Sequence, residues 1–358
     1  MDKAKRLHFL LIYPLHTVPS QRFRFEQFFP YFKKAGFDCS ANCFYDEKTF
    51  SLLYARGGKV RLVIGMFACF IRRCGHMFTL GKYDYILIQR GAAPFGPPVF
   101  EWVIRYIYRK PIIYDFDDAI WLQPEKKPSR IFKWIKSYSK VGKICRWAHI
   151  VVTGNQYLAA YARKFTERVK VIPTVVDTEK KSTPGSLSPN KKTVIGWTGS
   201  HSTLLYLQHL EPLLTRLQNK YDFELMVIAN KPPQFQELNF HFIPWSEEAE
   251  VKELNKIDIG IMPLPDDEWT KGKCGFKAIQ YMALQKPAVA SAVGVNSEII
   301  DSGVNGFVCR TEREWEEALE MLLKDERLRQ EMGKAGRKKI VEQYSTRSQT
   351  SAFIGLFS

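Results

Sequence analysis

Short apolar runs alternate with helix-length stretches along this chain, stop at a polar segment, and then begin again. In the first half, His8–Tyr13, Tyr85–Gln89, Pro111–Tyr114 and Ile150–Thr153 read as strands, and Phe25–Ala35 and Phe95–Arg109 as helices. Thr178 to Lys192, a Lys/Ser/Thr/Pro/Gly stretch, breaks the pattern as a linker. The second half resumes with strands Thr193–Trp197, Phe223–Ala229, Ile257–Met262, Ala288–Ala290 and Phe307–Val308. Its helices are Leu204–Lys220, Glu247–Leu254, Glu312–Lys324 and Glu326–Gln343. Strands separated by helices pair in parallel, because each helix returns the chain to the starting edge and covers a sheet face. The expectation is an α/β protein with two doubly wound domains facing across a cleft, residues 1–176 and 193–344, joined by a linker at 177–192. Ligands of such sheets bind at the carboxyl ends of the strands.

Composition narrows the class. With 358 residues, 45% apolar and 14% aromatic, the chain can bury two ordinary cores. Seven cysteines, an odd number without a CxxC pair, make neither a disulfide framework nor a zinc site, and read as reduced cytosolic thiols. The apolar run near the N-terminus is short and is closed by Pro14 without a small-residue cleavage site, so it reads as a buried first strand rather than a signal peptide. No segment approaches the roughly 20 apolar residues that span a bilayer.

Charge is segregated. Residues 1–176 carry 30 Lys and Arg against 12 Asp and Glu, whereas 177–358 carry 23 against 25. The first half therefore expects a large anionic partner: a membrane surface, a lipid diphosphate or nucleic acid. Two of its segments suit a membrane interface. From Ser129 to Trp147, Arg130, Lys133, Lys136, Lys140 and Lys143 recur at helical spacing. From Gly58 to Phe78, Lys59, Arg61, Arg72 and Arg73 bracket a ten-residue apolar run.

The most chemically informative segment is Lys271-Gly-Lys-Cys-Gly-Phe-Lys277, which runs into a short helix, Ala278 to Leu284, stopped before Pro287. Gly272 and Gly275 let backbone approach a ligand, the helix N-terminus presents N–H groups, and Lys273 and Lys277 add two charges. That combination suits a diphosphate. This segment resembles the donor-binding loop of family-4 glycosyltransferases of the GT-B fold, of the bacterial cell-envelope polysaccharide type. Segments 195–203, 241–246, 258–265 and 294–300 match in order, and Ser20-Gln-Arg-Phe-Arg24 and Tyr114-Asp-Phe-Asp-Asp-Ala-Ile-Trp121 match more weakly. The family often places two glutamates eight residues apart where this chain has Gly272 and Gln280. The second holds the ribose, a role open to Gln280 as a neutral donor and acceptor.

The resemblance implies a retaining transfer from a nucleotide diphosphate sugar, without a cofactor or metal, to a lipid-linked or polysaccharide acceptor such as lipopolysaccharide. The enzyme would be cytoplasmic and peripherally bound to the inner face of an anionic membrane, with no nucleic-acid partner. Residues 345–358 would pack back on the first domain. Donor contacts would come from Gly199, Ser200, Trp245, Gly272, Cys274, Gly275, Phe276 and Gln280. Lys277 and Lys273 would stabilise the leaving diphosphate, Asp117 and Asp118 would orient acceptor hydroxyls, and Arg22 and Arg24 would grip an acceptor phosphate. The alternatives are a sugar-nucleotide epimerase of the same architecture and a nucleic-acid-binding or DNA-glycosylating protein.

Overall fold

The computed structural model describes residues 4–55, 57–123, 137–185 and 192–357. The chain divides into two compact units, Met1–Thr174 with Thr350–Ser358, and Val175–Gln349. Each contains a six-stranded sheet in which every pair is parallel. The first unit holds β1 Arg6–Leu11, β2 Asp38–Cys43, β3 Tyr85–Gln89, β4 Ile112–Phe116, β5 Ile150–Thr153 and β6 Val169–Val171, in the order β2-β1-β3-β4-β5-β6. The second holds β7 Thr193–Gly199, β8 Phe223–Ala229, β9 His241–Pro244, β10 Ile259–Met262, β11 Ala288–Ser291 and β12 Gly306–Cys309, in the order β12-β11-β10-β7-β8-β9. Strand order reverses beside the first strand of each sheet, between β1 and β3 and between β7 and β10. These are the points where adjacent loops diverge and leave room for a ligand.

Central strands β4, β10 and β11 are buried along their whole length, as helices on both faces require. Several expected helices are broken where proline enters. The 25–35 segment becomes a 3-10 turn at Glu26–Phe28 and a helix Phe29–Lys34 with Pro30 in its first turn, preceded by an unexpected helix, Pro19–Arg24. The 204–220 segment splits into Leu204–Gln208 and Glu211–Lys220, again with proline opening the second piece. Phe95–Arg109 contracts to Val99–Trp102 followed by a π-helical turn, Val103–Ile107. Of the basic segment 129–147, residues up to 136 lie outside the described ones. The helix Lys140–Trp147 follows, and Lys140 is buried with its Nζ donating to the Ala93 carbonyl (2.9 Å), so this lysine is not available to a headgroup.

In the first unit, His8 of β1 lies beneath the helix Lys59–Met77. Its Nε2 is 2.7 Å from His76 Nε2, and its Nδ1 is 2.7 Å from Ser40 Oγ. Two ring nitrogens this close need one proton between them. Burial, and then the charges of His76, Arg73 and Lys82, push His8 down to about 3 from 6.5. The unfolded chain therefore binds a proton that the folded chain refuses as pH falls from about 6.5 towards 3, and stability drops across that window. Between pH 7 and pH 5 the loss is about 2 kcal/mol. Urea unfolding at both pH values should show it, with a smaller loss in His8→Phe, which keeps the stack on Tyr83. Equal acid sensitivity in the two proteins would assign it elsewhere.

Candidate active site

In the second unit, three loops leave the carboxyl edge of the sheet beside the β7/β10 reversal. The loop after β10 carries Lys271 to Gly275 and feeds the helix Phe276–Ala283. Gly275 takes φ +65°, and a Cβ there would fall 2.1 Å from Ile299 Cδ1. The position therefore requires glycine, and it brings no side-chain cap to the helix N-terminus. The helix is seated by Tyr281, fully buried beneath β7 and β10. Its hydroxyl accepts from the Thr198 amide (3.0 Å) and donates to the Ile261 carbonyl (3.4 Å). The loop after β11 is braced by Asn296, whose amide donates to the Ser291 carbonyl (3.0 Å), while Ser291 Oγ accepts from the Leu264 amide (2.9 Å).

This framework places the lysines. Lys277 extends over the Trp197 ring, its Nζ 5.4 Å from the centroid, and so reaches from the helix start to the end of β7. Gly199 closes that strand so near the same indole that a Cβ would come within 2.5 Å of it. Ser200 follows, exposed and bonded to Ser202 (2.8 Å). Lys273 lies 5.0 Å from the Trp269 ring centre, and its neighbour Lys271 pairs with Glu268 and Asp266. Gln280 is buried one turn along the helix from Lys277; in the preceding loop Gly272 and Cys274 are buried, and Phe276 at the helix start is half-buried. Trp245 leaves β9 on the far side of β8, and its indole N–H donates to Glu250 (3.0 Å). The carboxyl edge is thus a cationic rim beside a helix N-terminus, suited to a polyanion.

The first unit has its own polar cluster at the equivalent edge. Arg90 follows β3 with φ +60°, a strained position for a side chain of this size. Asp117 and Asp118 follow β4. The Arg90 guanidinium donates twice to Asp117 (2.8 and 3.0 Å) and once to Asp118 (2.5 Å). Although burial opposes it, the charges of Asp117 and Asp118 hold Arg90 above its ordinary range. Arg90 thus holds the two carboxylates together as one unit. The sequence reading missed Arg90. The signal available was an Arg-Gly pair directly after a strand.

Arg24 requires a correction. It does not open to an acceptor, because the segment after β1 winds into the helix Pro19–Arg24 and turns this side chain into the core. Its side chain is fully buried, in a two-point pair with Asp115, and it also donates to the Ile172 carbonyl. Burial raises the Asp115 carboxyl to about 6 against the pull of Arg24. Arg22 is mostly buried on the same helix, its guanidinium 4.9 Å from the Phe23 ring centre.

The two parallel six-stranded sheets with flanking helices match the GT-B glycosyltransferase fold. The solved structures that share it include sucrose-phosphate synthase from Thermosynechococcus elongatus (TM-score 0.72, 12% identity, over 99% of this chain and 98% of that one). A glycosyltransferase from Rickettsia africae aligns at TM-score 0.68 and 13% identity, over 100% and 98%. Anabaena HepE, solved with UDP-glucose, aligns at 0.67 and 14%, over 98% and 99%. Residues 235–339, which include both lysines, Gly275 and Gln280, match the family model described as glycosyl transferases group 1. No curated protein matches in sequence.

Proposed function

We propose that this protein transfers a sugar, with retention of anomeric configuration, from a nucleotide diphosphate sugar to a lipid-linked or polysaccharide acceptor at the cytoplasmic face of a membrane. The observation that carries the reading is Lys277, held over Trp197 at the β7/β10 reversal, beside the helix start at Gly275 and inside the segment that matches the group 1 model. The second unit holds the donor. Lys277, Lys273 and the helix N-terminus stabilise charge as it accumulates on the departing diphosphate, which takes the acceptor proton on the face it leaves. The first unit receives the acceptor, with Asp117 and Asp118 orienting sugar hydroxyls as hydrogen-bond acceptors and Arg90 fixing both carboxylates. The complexes of HepE with UDP and with UDP-glucose support a uridine donor among those to try first.

Thermal shift of the purified protein against UDP, GDP and ADP tests the donor, because a ligand that binds only the folded state raises the unfolding temperature. No shift with any of them at millimolar concentration would refute the reading. Gln280→Ala should weaken binding of the stabilising nucleotide roughly three- to tenfold, the value of one neutral hydrogen bond, with a smaller effect on turnover. Gln280→Glu should retain binding by calorimetry. A glutamate variant that binds nucleotide normally yet is inert would give Gln280 a role in the reaction itself rather than in ribose contact.

A further inference from the structure

The helix Lys59–Met77 in the first unit is amphipathic with its apolar side in the wrong place for a protein surrounded only by water. Cys69, Arg73 and Met77 turn inward. On the opposite side, Val60, Val63, Ile64, Phe67, Ile71 and the following Phe78 form one stripe, each between 58% and 84% exposed. At 3.6 residues per turn these positions, separated by three, four or seven residues along the stripe with Val63 and Ile64 side by side, fall on a single face. Phe70 stacks on Phe100 with centroids 6.4 Å apart, so the neighbouring helical segment lies alongside. That segment exposes four more large apolar side chains, Val99, Trp102, Tyr106 and Ile107. A solvated patch of this extent marks a docking surface.

We propose that this face is the surface by which the protein lies on an anionic lipid bilayer, with the apolar stripe at the acyl boundary and cations at the headgroups. Charge selects this occupant. Along Lys59–Met77 the sequence has four Lys or Arg and no Asp or Glu; Arg73 of these is buried and Arg72 pairs with Asp46, which leaves Lys59 and Arg61 for the stripe. Lys59 and Arg61 flank the stripe on either side and are exposed, as are Arg105 and Arg109 on the adjacent segment. A second copy meeting this face would bring cations against cations, and a partner helix would find no carboxylate to pair with along Lys59–Met77, whereas anionic headgroups complement it everywhere. Trp102 and Tyr106 have the apolar body and polar tip that favour the headgroup level. Among the described residues no helix is long and apolar enough to cross a membrane, so attachment is interfacial and reversible. The inference rests on the proposed function for its purpose and names the surface that brings the enzyme to a membrane-bound acceptor.

The test is co-sedimentation with vesicles of phosphatidylcholine containing 30% phosphatidylglycerol, without donor or acceptor. Wild type is expected to partition at low salt and to lose at least tenfold in 0.5 M salt or on pure phosphatidylcholine. Val63→Ser, Ile64→Ser and Phe67→Ser combined should lower partitioning tenfold or more. So should Lys59→Gln and Arg61→Gln combined. All five side chains are exposed, so unchanged circular dichroism and unfolding temperature are expected to accompany the loss. Wild-type partitioning by both variants would overturn the proposal. So would a serine variant that turns a dimer into a monomer in sedimentation velocity while still binding vesicles, which would give the face to a second copy. Because the assay reads lipid alone, its failure leaves the nucleotide thermal shift standing, and the reverse also holds.

Discussion

Replacing Lys277 by alanine is expected to lower turnover with any accepted donor about 100-fold while the unfolding temperature moves by no more than a degree or two. The side chain is half-buried at a helix start, so little packing is lost. Its ammonium is poised over Trp197 at the end of β7, where the proposed function places the diphosphate. A charge-assisted hydrogen bond there contributes about 1.5–3 kcal/mol, and it strengthens as the leaving group gains negative charge. At 1.4 kcal/mol per decade this is between ten- and about 150-fold, and it should appear mainly in the catalytic rate rather than in nucleotide affinity. Lys273→Ala should follow in the same direction with a smaller loss. Steady-state kinetics that returned wild-type turnover for purified Lys277→Ala would remove this residue from the reaction and with it the main support for the donor site.

Arg24→Met should have the largest effect on stability, about 3–5 kcal/mol, because it strands the Asp115 carboxylate in a site with no access to water. For a unit of this size that corresponds to a fall of roughly 10 °C in the first unit's unfolding. Nucleotide binding, which the proposed function assigns to the second unit, should persist at temperatures where the first unit remains folded. Pairing the change with Asp115→Leu is expected to recover most of the loss, since two apolar side chains replace two charges that were costly to bury. If the single variant unfolds like wild type in calorimetry, the buried pair does not hold the first unit together. If the double variant is as unstable as the single, the loss comes from packing rather than from the stranded charge.

The apolar strands inside both sheets were legible: Tyr85–Gln89 and Ile150–Thr153 agree with β3 and β5 residue for residue. Phe223–Ala229 agrees with β8 residue for residue, and β7, β10, β11 and β12 differ from their expected spans by one or two residues at an end. Apolar runs buried on both faces need no partner to be recognised. Strand β2 was not read, since Asp38-Cys-Ser-Ala-Asn-Cys43 is a half-exposed edge with neither β-branched nor aromatic residues, and only pairing with β1 makes it a strand. Strand β6, Val-Lys-Val at the other edge, and strand β9 at the edge of the second sheet were not read either, because each is only three or four half-buried or exposed residues and too short to stand out as a run. At the candidate site, the loop from Lys271 to Lys277 could be read because glycine, lysine and a helix start are local features. Arg90 offered only the Arg-Gly pair after a strand, because its place beside Asp117 and Asp118 exists only once β3 and β4 pair. Arg24 was misread for the converse reason. Its charge suggested solvent, and the carboxylate that neutralises it lies 91 residues away.

The chain's return to its first unit constrains how it is made. The helix Thr346–Ile354 leads into residues that complete that unit's core: Phe353, Leu356 and Phe357 are buried, and the Phe353 ring lies 4.3 Å from that of Phe28. Residues 1–174 therefore emerge from the ribosome with an apolar seam still open along Phe25, Phe28 and Phe32, and the whole of Val175–Gln349 is synthesised before the seam can close. At ordinary elongation rates, about 5–20 residues per second, that interval is roughly 10–35 s. The second unit, contiguous in sequence, is free to fold first, reversing the usual N-to-C order of domain maturation, while the nascent first unit spends that interval with its apolar seam uncovered.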